Sequence, residues 1–201
     1  MRSSRACPTT PRSPDLVGFL GLAGCTRAAA AAGDRFTYPP GRARSIHGEV
    51  APDPDELLRR AAEVGVPKVV QIGCDVASAE WSVPFAKEHP QVAAGVALHP
   101  NDAARIGVRQ GRAGLEQAWA RIAELAREDV VKAVGETGLD YFRTPEADGQ
   151  AFQHESFRWH IELAKEVDKA LVIHDRDSHD DVISVLLDQG APDRVVFHCF
   201  S

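Results

Sequence analysis

The chain has 201 residues and a mass of 21.7 kDa, with 44% apolar and 26% charged residues and a net charge of −6. These values suit one globular domain with or without a tail, and they argue against a wholly disordered chain, a collagen or a disulfide scaffold. The acidic balance disfavours a nucleic-acid binder that works by bulk positive charge, and no run of 18 apolar residues is present to span a membrane.

Charge divides the chain in two. Residues 1–50 hold seven Arg, no Lys and three acids, a net of +4; residues 51–201 hold sixteen Lys/Arg and twenty-six Asp/Glu, a net of −10. The first segment has Pro at 8, 11, 14, 39 and 40 and an alanine run at 28–32, with no sustained helical or strand periodicity. Its apolar stretch 16–24 runs into Cys25, and Leu22-Ala23-Gly24-Cys25 resembles a bacterial lipoprotein signal. Asp15 and the three preceding prolines oppose that reading. The expectation for 1–52 is a disordered or mis-started leader on a cytoplasmic protein, with the signal as the alternative. Cys7, Cys25, Cys74 and Cys199 have no CxxC spacing and read as thiols in a reducing compartment.

From Asp53 onward, helix and strand signals alternate. Asp53-Pro54-Asp55-Glu56 reads as a capped helix start, with Gly65 as its stop. Strands are predicted at 68–73 (KVVQIG), 92–98 (VAAGVAL), 130–135 (VVKAVG), 170–173 (ALVI) and 195–197 (VVF). Helices are predicted at 77–88, 114–127, 152–167 and 178–188, the last capped by Asp177. The strands are continuous apolar runs, which predicts a parallel sheet covered on both faces by helices, either open or closed into a barrel.

Four successive strands run into an ionisable residue: His99, Glu136, His174 and His198. In a parallel sheet these ends share one edge, which in a (β/α)8 barrel is the active-site face. Histidine and carboxylate together suit first-row or Mg/Mn-type divalent ions. The spacing therefore points to a metal-dependent hydrolase. Singly, each His reads better as a capping or hydrogen-bonded structural residue; it is four in register that point to a site. His154, His160 and His179 lie in helices without ligand spacing and are taken as surface or packing residues, as are Trp119 and Trp159 in packing. His89 is expected at a helix end and His47 in the leader.

Four local sequences sharpen this reading: Ala97-Leu98-His99-Pro100, Gly135-Glu136-Thr137-Gly138-Leu139-Asp140-Tyr141, Ile173-His174-Asp175-Arg176 and Phe197-His198-Cys199-Phe200-Ser201. Together, over 53–201, they resemble the TatD family of metal-dependent deoxyribonucleases. The resemblance implies an amidohydrolase-like TIM (β/α)8 barrel and hydrolysis of DNA phosphodiesters with a divalent metal (Mg, Mn or Zn). It implies Glu136, His174 and His198 as metal ligands, with Glu136 and His99 catalytic. His99, Arg143 and Arg176 would contact the substrate. Arg176 paired with Asp175 or Asp177, and Arg143 as a plain loop residue, are the alternatives. The family's N-terminal HxH pair and late Asp have no counterpart here, and about five of eight strands are legible. On that basis the 53–201 unit is expected to be an incomplete barrel, partly open and impaired as a nuclease. Competing readings are a hydrolase of another ester or amide, which a carbamylated Lys would favour, and a non-catalytic metal-binding remnant. Lys132 lies inside a strand, four residues before Glu136, away from the active edge.

Overall fold

A computed structural model describes residues 20–21 and 53–198. The elements are β1 (Leu20–Gly21), α1 (Pro54–Glu63), β2 (Val69–Gly73), α2 (Val76–Glu88), β3 (Val92–Val96), α3 (Pro100–Leu125), β4 (Val131–Asp140), α4 (Ala147–Glu166), β5 (Ala170–Arg176), α5 (His179–Gln189) and β6 (Val195–His198). The five predicted strands are present as β2 to β6. Two leader residues add β1, parallel to β2 with Leu20 opposite Val69. Such a short strand leaves no periodic signature. The remainder of the leader, including Cys25 and His47, lies outside the described residues, as does Cys199.

All pairings are parallel and the strand order is sequential, β1-β2-β3-β4-β5-β6. Right-handed crossovers in an unreversed order place every helix on the same side of the sheet, which is the winding of a (β/α)8 barrel. A doubly wound sheet reverses its order and carries helices on both faces. The expectation of helices on both faces is therefore corrected, and the barrel-type alternative holds. The strands bury Val69, Val70, Ile72, Ala94, Val96, Val131, Val134, Leu171 and Ile173. Against them lie Leu115 and Ile122 of α3 and Phe157 and Ile161 of α4, all fully buried. Each such side chain contributes about 1.5–3 kcal/mol by leaving water. Trp119 and Trp159 meet between α3 and α4 at 5.6 Å, in keeping with a packing role.

Local chemistry sets the ends of the elements. Asp53 caps α1 through the Asp55 N–H (3.2 Å), with Pro54 at the first position. Asp75 and Ser78 form a reciprocal capping box on α2. His89 is the C-cap of α2, and its Nε2 lies 2.7 Å from Asp55 Oδ1.

Several boundaries differ from the expected ones; α4 begins at Ala147 rather than 152 and β5 runs to Arg176 rather than 173. Helix α3 begins at Pro100, fourteen residues before the predicted start, and is interrupted at Gly111 (φ 69°). Its first half buries Ala103, Ala104 and Gly107. A Cβ at Gly107 would overlap the Phe152 ring, so the contact face is made of small residues and presents no large-residue stripe to read. Strand β4 continues past its predicted end at 135, through Glu136-Thr137-Gly138, to Asp140. Helix α5 is capped at Ser178 without a side-chain bond, not at Asp177, which has φ 55°.

His160 ties α4 to the end of β3. It is fully buried, accepts the Leu98 N–H at Nε2 (3.1 Å) and donates from Nδ1 to the Ser156 carbonyl (2.7 Å). Burial lowers its pKa from 6.5 to about 4. The neutral form is the one that fits, so its contribution is complete above pH 6.5 and is lost as pH falls toward 4, amounting to roughly 3 kcal/mol across the window. His160→Gln can keep both hydrogen bonds without titrating. Denaturation curves between pH 4 and 7 should show a steeper acid loss for the wild type than for His160→Gln; parallel pH dependences would contradict this.

Candidate metal centre

The C-terminal ends of β3, β4 and β5 bring His99, Glu136 and His174 together. One ligand atom from each lies within 4.8 Å of the others. His99 is also the N-cap of α3: its Nδ1 accepts the Asn101 N–H (3.2 Å), and its backbone N–H continues the β2–β3 ladder to the Cys74 carbonyl (2.8 Å). Strand and helix thus both fix this imidazole.

Glu136 reaches the cluster through an irregularity in β4. Between Val134 and Thr137 the strand advances three residues while β5 advances two, from Leu171 to Ile173. This extra residue is a bulge, a device that re-aims side chains near sites. Beyond it, Gly138 (φ 137°) lies so close to β5 that a Cβ would overlap the His174 carbonyl oxygen.

His174 stands between two carboxylates. Its Nδ1 is 2.7 Å from Glu136 Oε1 and its Nε2 is 3.1 Å from Asp140 Oδ2. Burial opposes its charge, but hydrogen bonds to Asp140 and Glu136 outweigh burial and raise its pKa to about 9. Burial pushes Glu136 up, yet the His174 bond and the neighbouring imidazoles bring it below its ordinary value. Burial likewise opposes Asp140, which bonds from His174, the Arg143 N–H and Asn101 lower to about 2. His99 is held to about 4, first by burial and then by the His174 charge, so it is neutral at pH 7.

Asp140 is a residue to which sequence reasoning assigned no role. Its Oδ2 also accepts Asn101 Nδ2 (3.0 Å), and its Oδ1 accepts the Arg143 N–H (2.9 Å). Gln153 of α4, fully buried, clamps its backbone N–H (2.9 Å) and carbonyl (3.3 Å). The available signal was the spacing of four from Glu136, which keeps both residues on one face of a strand.

His198 sits on β6 directly opposite His174 in the register. It lies near enough to help lower the pKa of Glu136 but is not one of the three converging ligands. Its Nε2 is buried and has no hydrogen-bond partner among the described residues. An imidazole nitrogen in that condition, on the strand beside His174 and within electrostatic reach of Glu136, fits the donor set of a metal centre. The residues present can therefore hold a metal ion.

The remaining predicted residues lie around this cluster. Arg143 is exposed and lines a cleft of about 510 Å³ together with Asn101, Arg105, Arg109 and Thr144. Arg176 ends β5 and has no ion-pair partner among the described residues; its guanidinium lies over the Phe142 ring, 3.9 Å from the centroid. Asp175 bonds instead to Ser178 (3.1 Å) and His179 (2.8 Å). His154 meets the Tyr141 hydroxyl at 2.6 Å, and that hydroxyl donates to Asp181 (2.5 Å), which joins α4 and α5 to the end of β4. Lys132 is exposed at the start of β4.

Residues 45–201 match the family described as TatD related DNase, and the chain belongs to that family. It is 42% identical over 148 residues to an uncharacterized metal-dependent hydrolase TatD of Mycobacterium tuberculosis, covering 72% of this chain and 53% of that protein. It is 30% identical over 158 residues to a protein of Escherichia fergusonii named 3'-5' ssDNA/RNA exonuclease TatD, covering 76% and 55%. The crystal structure of a TatD homologue from Escherichia coli K12 overlays with a TM-score of 0.59 at 26% identity, covering 83% of this chain and 58% of that one. The chain thus spans about half the length of the relatives it matches. Among the described residues, no helix is long and apolar enough to cross a membrane.

Proposed function

We propose that the protein is a divalent-metal-dependent hydrolase of nucleic-acid phosphodiesters, with single-stranded DNA as its substrate. The observation that carries this reading is the convergence of His99, Glu136 and His174 within 4.8 Å at the C-terminal edge of parallel strands. Glu136, His174 and His198 would hold the ion, with His99 completing the set or facing the scissile group. Mg, Mn and Zn all suit such oxygen and imidazole donors. When bound, a divalent ion supplies positive charge to the phosphoryl oxygens and makes water a usable nucleophile near neutral pH.

The protein's own residues prepare that chemistry. A ligating imidazole must be neutral, so His174 would have to part with the Nδ1 proton it donates to Glu136 before it could serve as a ligand. Asp140 accepts the His174 Nε2–H and so would fix the tautomer and the ring plane, the usual service of a carboxylate behind a ligating histidine. Neutral His99 adds no charge that would repel the cation. Arg143 and Arg176 offer guanidinium groups to the phosphates on either side of the scissile bond.

The test is hydrolysis of an end-labelled single-stranded oligonucleotide with Mg2+, Mn2+ or Zn2+ added singly to chelator-treated protein. Cleavage that needs an added ion and stops with EDTA is expected. Ion-dependent turnover of carboxyl ester or amide substrates with no oligonucleotide cleavage would instead establish the other hydrolase class.

A further inference from the structure

Phe142 is the single aromatic among the exposed large apolar side chains of the described residues, at 59% exposure. It stands two residues beyond Asp140, which bonds His174. Arg176 stands two residues beyond His174, and strand periodicity puts both on one face, about 7 Å apart along β5. The backbones are joined there as well, by the Tyr141 N–H to the Arg176 carbonyl (2.9 Å). The Arg176 guanidinium rests over the ring at 3.9 Å. An exposed ring beside a guanidinium without a carboxylate partner, at the rim of a phosphodiester-cleaving site, is the combination by which proteins hold single-stranded nucleic acid: a π-face for a base and a cation for its phosphate.

We propose that Phe142 and Arg176 form a stacking platform for the nucleobase next to the scissile phosphate of a single-stranded substrate. The base lies on the open part of the Phe142 ring while Arg176 engages the phosphate of the same nucleotide. This orients the strand by contacts that every base can make, which gives strand selectivity without sequence selectivity. The proposal rests on the nuclease reading above, and the two can fail separately.

The experiment measures binding by fluorescence anisotropy in EDTA, comparing a single-stranded oligonucleotide with an abasic strand of the same length. The wild type should favour the base-bearing strand about tenfold. In Phe142→Ala the two strands should bind alike, Phe142→Trp should retain the preference, and Arg176→Ala should weaken both. A wild type that does not favour the base-bearing strand, or a preference that survives in Phe142→Ala, overturns the platform. Adding Mn2+ to the base-bearing strand reads cleavage separately. Cleavage without base preference removes the platform and keeps the nuclease; base preference without cleavage under Mg2+, Mn2+ or Zn2+ removes the nuclease and keeps the platform.

Discussion

Glu136→Gln should weaken divalent-metal binding by more than about a hundredfold, because mutations of groups that merely orient ligands already cost 10–100-fold and Glu136 is proposed as a direct ligand. The carboxylate is 5% exposed and supplies the negative charge that the cluster needs to hold a cation. Glutamine keeps its shape and removes the charge. It also leaves only a neutral acceptor opposite His174 Nδ1 in place of one of the two carboxylates that raise the His174 pKa, so that pKa should fall from about 9. Two measurements check this together: calorimetric titration with Mn2+ or Zn2+, and the NMR titration of His174 in the metal-free protein. Unchanged metal affinity would remove Glu136 from the ligand set. A lowered metal affinity with an unmoved His174 pKa would mean that Asp140 alone holds the imidazole.

The second large effect is structural. Gly138→Ala should destabilise the protein by about 2–5 kcal/mol, from the cost of φ near 137° for a residue with a Cβ plus the overlap of that Cβ with the His174 carbonyl. Relief comes only by parting β4 from β5, the two strands that carry Glu136 and His174. Metal affinity should therefore fall along with stability, although residue 138 has no ligand atom. Urea denaturation and metal titration of the same variant test both parts. A cost below 1 kcal/mol would show that the sheet yields at this point without harm.

Much of the architecture was legible because parallel strands are buried on both faces and read as largely apolar runs, as in VAAGVAL and ALVI. The clustering of His99, Glu136 and His174 was legible for the same reason. His99, Glu136, His174 and His198 each follow such a run, and a polar group at the end of a buried strand stands out. What the sequence hid has physical causes. The first half of α3 packs through Ala103, Ala104 and Gly107, whose small size lets α4 approach but leaves no hydrophobic stripe. The outer part of β4 lies beyond the predicted end at 135 because Gly138 serves close contact with β5 and Glu136 and Thr137 are polar, so the apolar run stops before the strand does. Asp140 and His160 act through hydrogen bonds to His174 and to the Leu98 N–H, partners 34 and 62 residues away. No local pattern marks such a pairing.

The position of His99 as the first residue before α3 bears on how this protein can be handled. Residues 97–99 alone join β3 to α3, and Ala97 and Leu98 are fully buried. That connection has no slack: an affinity tag, a fluorophore or a single inserted residue there would lift the imidazole off its neighbours. The opposite edge of the sheet is forgiving. Gly65 and Pro67, or Gly190 and Ala191, are exposed and far along their strands from the cluster. Probes meant to report on the site without perturbing it belong at those turns, and a library that varies loop length should be confined to them.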